Sequence, residues 1–83
     1  MDQEIRQVLT DHARLPIDVS AVGDHDDLFQ LGLTSHASVN VMLALEDAFD
    51  IEFPESMLRK STFESVAAIH AALSDLLGVP APS

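Results

Sequence analysis

A serine and a histidine stand side by side at Ser35 and His36, directly after the stretch DLFQLGLT of residues 27–34. A hydroxyl beside an imidazole could act as a nucleophile with its base, cap a helix, or carry a covalently attached group. Neighbouring residues of a helix point about 100° apart, so these two side chains are poorly placed to meet. The stretch also lacks the G-x-S-x-G pattern of a nucleophile elbow. We therefore do not expect catalytic residues here, or an enzyme.

The residues before Ser35 leave two of these roles open. Gly32 can form a tight turn, and Leu31 and Leu33 can anchor both sides of that turn in a core. As a helix N-cap, Ser35 would accept a backbone hydrogen bond and contribute about 1 kcal/mol to stability. The start of a helix also stabilises anions, so a phosphate esterified to this hydroxyl would be favoured there.

Helical periodicity predicts the two elements that flank this stretch. Ile5, Val8, Leu9 and His12 recur at helical spacing and predict a first helix over about residues 3–14, with His12 partly buried. Ser35 begins the second predicted helix, which ends near residue 50. Its expected apolar face consists of Val39, Met42, Leu45 and Phe49, widened by Val41 and Ala48.

Two further helices are predicted after residue 50. Pro54 suits the first position of a short helix through Leu58, and the basic pair Arg59 and Lys60 would follow at its C-terminal end. Ser61 and Glu64 match a capping box that opens the last helix, which ends at Leu77 before Gly78.

The connection between the first two predicted helices is long and acidic. It contains Pro16, two glycines and the run of residues 24–27, Asp-His-Asp-Asp. Leu28 and Phe29 stand where an EF-hand loop requires an oxygen ligand and a glycine, so we exclude a calcium site. We predict an all-α fold, a small four-helix bundle with three longer helices and one short one, in a single domain over residues 1–78. Residues 79–83 should form a flexible tail.

The charge balance restricts the partners. The 83 residues include four basic and fourteen acidic side chains, with a net charge of −10. No Lys or Arg occurs between Leu15 and Leu58, so the chain should repel nucleic acid and anionic membranes and attract a basic protein surface. Arg6 and Arg14 would serve the solubility of the first helix.

The residue types and segments that the sequence lacks predict further properties of the protein. The chain has no cysteine, so it forms no disulfide and supplies no thiol of its own. Its four histidines lack the short spacing of metal ligands, and we expect no metal site. We find no signal peptide and no apolar run that could span a bilayer. We expect a monomeric cytoplasmic protein.

One resemblance covers nearly the whole chain. The stretch DLFQLGLTS of residues 27–35, followed by the acidic helix that continues into ALEDAFDIEFP at residues 44–54, strongly resembles the acyl carrier protein family. The order helix, long loop, serine, second helix, short third helix and fourth helix is also that of the family.

The resemblance implies a function. Ser35 would carry 4′-phosphopantetheine, transferred from coenzyme A by a Mg²⁺-dependent phosphopantetheinyl transferase. The terminal thiol of this arm would hold an acyl or aminoacyl group as a thioester, loaded by an activating ligase and passed to a downstream transferase. An arm that brings its own sulfur is consistent with the missing cysteine.

The chain departs from the family beside the serine, where Thr34 and His36 replace the usual Asp and Leu. We expect modification to survive this change and partner choice to be affected by it. The docking surface implied by the family would comprise His36, Asn40, Leu43, Glu46 and Asp47 on the second helix, although the same residues could be merely a solvated face. The pattern GLTSHASV is similar to that of free-standing bacterial carriers loaded with amino acids by synthetase-like ligases.

One alternative explains the charge and the fold equally well. An unmodified acidic helical adaptor could bind a basic partner protein and use Ser35 only as a helix cap.

Overall fold

The computed structural model describes residues 2–78 and contains no β-strand in that range. Its three α-helices are α1 (Asp2–His12), α2 (Ser35–Phe49) and α3 (Val66–Leu77). Short 3₁₀ turns occur at Val19–Ala21, Glu55–Met57 and Lys60–Phe63. The prediction of an all-α fold is therefore confirmed. The predicted tail, residues 79–83, lies outside the described residues.

The predicted short fourth helix is not confirmed beyond a single 3₁₀ turn. Instead of a short helix over residues 54–58, the structure has one 3₁₀ turn, Glu55–Met57, preceded by Pro54 in an extended conformation. The backbone of Leu58 is not helical, with φ −83° and ψ 65°. Forming the first turn of a helix costs more conformational free energy than its one hydrogen bond returns, so a short α-helix is unfavourable unless further hydrogen bonds follow.

The predicted ends of two helices also need correction. α1 ends at His12 rather than near residue 14, and Arg14 adopts a left-handed φ of 55°. The capping box of Ser61 and Glu64 does not form. α3 begins later because the N–H of Ala68 donates to the Ser65 hydroxyl at 3.0 Å, which makes Ser65 the N-cap.

The core consists of one apolar stripe from each α-helix. Its helical members are Ile5, Val8 and Leu9 from α1, Ala37, Val41 and Leu45 from α2, and Val66, Ile69 and Leu73 from α3. The face predicted for α2 is rotated, since Val39 is 50% exposed while Val41 is fully buried. Apolar residues surround much of α2, so spacing alone did not select the buried stripe. His12 is exposed, contrary to the prediction.

Arg6 fixes the connection between α1 and α2. Its guanidinium donates to the carbonyl oxygens of Val19 at 2.9 Å and Val22 at 2.8 Å, and forms an ion pair with Asp24 at 2.7 Å. Arg6 therefore has a structural role, which the predicted contribution to solubility did not include.

The same connection is bonded to the start of α3. The N–H of Leu28 donates to the carbonyl oxygen of Glu64 at 2.7 Å, and the N–H of Ala67 donates to that of Asp24 at 2.9 Å. Residues 13–34 are thus held from both sides before they reach α2. No helix of the described part of the chain is long and apolar enough to traverse a bilayer.

We predict that Arg6→Met lowers the free energy of unfolding by about 2 kcal/mol, because part-buried carbonyl groups lose a charged donor. Arg14→Met removes the same charge from an exposed side chain and should cost less than about 0.5 kcal/mol. Urea denaturation of both variants measures the difference. Equal stability of the two variants would contradict this role of Arg6.

Candidate functional site

Residues 27–33 form a hydrogen-bonded turn that leads into α2. The carboxylate of Asp27 accepts the N–H of Phe29 at 3.0 Å, and the N–H of Leu33 donates to the carbonyl oxygen of Leu28 at 2.9 Å. Both leucines are buried, so the turn is anchored in the core on its two sides. The position of α2 relative to the core is therefore set by this turn.

Gly32 is required by the geometry of the turn. Its φ is 121°, a conformation that residues with a side chain rarely adopt. A Cβ atom at this position would also lie 2.9 Å from Cδ of Pro16. The predicted role of Gly32 as the residue of a tight turn is consistent with both observations.

Thr34, rather than Ser35, caps α2. The N–H of Ala37 donates to Oγ1 of Thr34 at 3.0 Å, and Ser35 is the first helical residue. The alternative in which Ser35 serves only as the cap is therefore contradicted by one position, because threonine and serine both suit an N-cap. Ser35 is exposed, and its hydroxyl makes no hydrogen bond within residues 2–78.

The first N–H groups of α2 remain available to an anion. The backbone N–H groups of Ser35 and His36 make no hydrogen bond to any part of the described chain. The N-terminus of a helix carries a partial positive charge, and such groups commonly bind phosphate. The structure therefore places an unbonded hydroxyl beside donors suited to a phosphate attached to it.

A pocket of about 360 Å³ opens beside Ser35, and we call it the Ser35 pocket. Its apolar lining consists of Phe29, Val39, Met42, Leu58 and Phe63, and its polar lining of Ser35, Ser38, Arg59 and Lys60. Val39 and Leu58 are about half exposed, at 50% and 48%. Sequence analysis did not identify this pocket, since its walls come from three separate segments of the chain.

The predicted docking residues are only partly brought together. His36, Asn40, Leu43 and Asp47 follow one face of α2, where they line shallow depressions toward α1 and the residues after it. Leu43 is 53% exposed there. Glu46 instead accepts the N–H of Phe53 at 2.9 Å through its carboxylate, and thereby ties α2 to the segment after it.

The site shows no arrangement for nucleophilic catalysis or metal binding. The hydroxyl of Ser35 has no imidazole partner in the described chain, and His36 lines a depression that does not include Ser35. Residues 2–78 contain no group of three or more His, Asp or Glu side chains that could hold a metal ion. The feature that remains at the start of α2 is an exposed hydroxyl with no hydrogen bond within residues 2–78.

The chain is similar to several known proteins. The sequence profile of a family described as "Phosphopantetheine attachment site" matches residues 3–69. An aminoacyl carrier protein from Agrobacterium fabrum is 42% identical over 77 residues, which is 93% of each chain.

Two solved structures are also similar. One contains an engineered Bradyrhizobium japonicum glycine:carrier protein ligase complexed with a carrier protein from Agrobacterium tumefaciens and AMP. Its matching chain has a TM-score of 0.84 and 40% identity, over 95% of this chain and 100% of that one. The other contains the Bradyrhizobium japonicum ligase complexed with glycylated carrier protein, with a TM-score of 0.73 and 28% identity over 86% and 95% of the two chains.

We predict that Thr34→Ala lowers the free energy of unfolding by about 1 kcal/mol, because the N-terminus of α2 loses its cap. Ser35→Ala removes a hydroxyl that bonds to nothing in the described chain, so its effect should stay within about 0.5 kcal/mol. Thermal or urea denaturation of the unmodified proteins distinguishes the two. A larger loss for Ser35→Ala than for Thr34→Ala would contradict the assignment of the cap.

Proposed function

Since this chain belongs to the phosphopantetheine attachment site family of carrier proteins, we propose that Ser35 is the residue that bears its 4′-phosphopantetheine. The observation that carries this proposal is the exposed Ser35 hydroxyl, left without a hydrogen bond because Thr34 caps the helix. In the attachment reaction the Ser35 oxygen would lose its proton and bond to phosphorus, as adenosine 3′,5′-bisphosphate leaves coenzyme A.

The residues around Ser35 fit a phosphate at this oxygen. The unbonded N–H groups of Ser35 and His36 lie at the positive end of α2, and Arg59 and Lys60 line the adjacent pocket. When bound, the arm supplies the thiol that holds an acyl or aminoacyl group as a thioester. The protein itself contributes attachment and presentation, and we propose no catalytic residue in it.

We further propose that the cargo is an amino acid. Two observations support this: the curated relative is an aminoacyl carrier protein, and similar carriers were solved with a glycine:carrier protein ligase. The partners would be a phosphopantetheinyl transferase, an amino acid-activating ligase and a downstream transferase.

The α1 side of α2 is the docking surface we propose for these enzymes. Leu43 offers exposed apolar area at its centre, and Asp47 adds negative charge beside it. A basic enzyme surface would be attracted by the net charge of −10 and oriented by this local pattern. Glu46 would support docking only indirectly, because it holds the backbone at Phe53.

Incubation with coenzyme A, Mg²⁺ and a broad-specificity phosphopantetheinyl transferase tests the function. The intact mass of the wild-type protein should increase by one phosphopantetheine, because Ser35 accepts the group. Ser35→Ala should keep its mass, and Thr34→Ala should still be modified if it is folded. A wild-type protein that stays unmodified would favour the unmodified adaptor instead.

For the docking surface, we predict that Asp47→Lys slows glycine loading by the Bradyrhizobium japonicum ligase by roughly ten-fold, because it reverses charge at the contact. Asp75→Lys is the matched control, since it makes the same change on exposed α3. Single-turnover loading of the modified carriers measures both rates. Equal rates for the two variants would contradict docking on this face.

A further inference from the structure

Arg14 adopts a backbone conformation that favours a different residue type. It follows the end of α1 with a left-handed φ of 55°, and Asp50 is the one other non-glycine residue of the described chain with a positive φ. Glycine is the usual residue at this position after a helix, because it has no Cβ atom to strain the backbone. The helix dipole favours a cation there, which accounts for the charge but not for a side chain in this conformation. The strain at Arg14 therefore indicates a use for its side chain.

The Arg14 side chain has no partner within residues 2–78. It is exposed, and it makes neither an ion pair nor a hydrogen bond with that part of the chain. Of the other three basic residues, Arg6 is bonded to the connection between α1 and α2, and Arg59 and Lys60 line the Ser35 pocket. The guanidinium of Arg14 thus keeps its donors for an acceptor outside the chain.

Arg14 lies at one end of the docking surface proposed above. A depression beside the start of α2 is lined by three small residues and by the polar side chains of Arg14, Thr34, His36 and Asn40. None of its lining residues in the described chain is acidic. Asn40 also lines the neighbouring depression, which includes Asp47. The two depressions are therefore continuous along the α1 side of α2.

The two ends of this surface differ in charge. A rise of about 1.5 Å per residue places Asp47 about 16 Å beyond His36 along the axis of α2. Arg14 lies at the His36 end, which is also the end next to Ser35. A partner that fits both ends needs an acidic group near Ser35 and a basic group farther along α2. Two opposite charges orient such a partner, because the reversed approach brings like charges together.

On the premise that the amino acid-activating ligase docks on this face of α2, we propose that Arg14 binds a carboxylate of that ligase. A guanidinium pairs with an Asp or Glu side chain through parallel hydrogen bonds. Thr34 stands where the family usually has Asp, so this chain places no negative charge at that position to repel the carboxylate. Arg14 acts as a positioning residue, since the contact fixes which end of α2 approaches the active site of the ligase.

Steady-state glycine loading by the engineered Bradyrhizobium japonicum ligase tests this contact in carriers that intact mass shows to be fully modified. Arg14→Glu should raise the KM for the carrier roughly ten-fold and leave kcat unchanged, because docking is weakened and the chemistry is not. Arg14→Lys keeps the charge and should stay within about three-fold of the wild type. Arg14→Gly relieves the left-handed backbone, so it should keep the urea midpoint of the wild type while KM still rises.

A matched pair of variants separates the local contact from net charge. Arg14→Gln and Ala71→Glu each make the net charge of −10 more negative by one unit. Ala71 is exposed on α3 and lines neither depression. A more negative carrier should approach a basic ligase surface faster. Ala71→Glu should therefore keep or lower KM, whereas Arg14→Gln should raise it roughly five-fold.

Carbodiimide cross-linking identifies the partner group. The reagent activates a carboxylate, and a neighbouring amine then displaces the activated oxygen to form an amide. The modified Arg14→Lys carrier, mixed with the ligase, should give a cross-linked peptide that joins position 14 to an Asp or Glu of the ligase. Changing that ligase residue to Lys should restore the KM of Arg14→Glu toward that of the wild type.

The readouts separate this contact from the function on which it rests. Equal KM values for Arg14→Gln and Ala71→Glu, a loss confined to kcat, or no cross-link from position 14 to the ligase overturns the contact alone. A defect confined to phosphopantetheine transfer would assign Arg14 to the transferase and also overturn it. A modified wild-type carrier that the ligase does not load overturns the proposed partner. A wild-type protein whose mass does not increase overturns attachment at Ser35 as well.

Discussion

The hydrogen bond from the N–H of Ala37 to the Thr34 side chain is the interaction on which the site depends. This bond gives one N–H group in the first turn of α2 an acceptor from the residue before Ser35. The Ser35 hydroxyl therefore remains exposed and without a hydrogen bond within the described chain. The N–H groups of Ser35 and His36 make no hydrogen bond within the described chain and lie at the positive end of the same helix. A hydroxyl that served as the cap would be less available for attachment, since it would have to give up that bond.

The remainder of the fold keeps this helix start in place. With no cysteine, an 83-residue chain has packing, hydrogen bonds and ion pairs, but no disulfide, to hold a long connection against its helices. From α1, the Arg6 side chain donates hydrogen bonds to this connection. The N–H of Leu28 and the carbonyl oxygen of Asp24 bond it to residues at the start of α3. Leu33 is buried in the core just before α2 begins. The geometry at Ser35 is thus supported by contacts that are distant in sequence.

The sequence alone predicted the features that depend on residues close together in the chain. The three α-helices follow from apolar spacing, and the stretch before Ser35 indicated the family through its residues. Local patterns were ambiguous where several residues suit one role: Thr34 and Ser35 both suit a cap, and Ser65 caps α3 although Ser61 and Glu64 fit the motif better. The Ser35 pocket could not be predicted, because no local spacing relates Phe29, α2 and residues 58–63.

We propose attachment at the Ser35 oxygen alone, although Thr34 and Ser38 carry hydroxyl groups within three residues of it. Thr34 binds Ala37 through its hydroxyl, and the Ser38 hydroxyl donates to the carbonyl oxygen of Ser35 at 2.7 Å. Fragmentation mass spectrometry of the enzymatically modified protein locates the added group directly. We predict that all of it lies on Ser35, and its location on Thr34 or Ser38 would contradict the account.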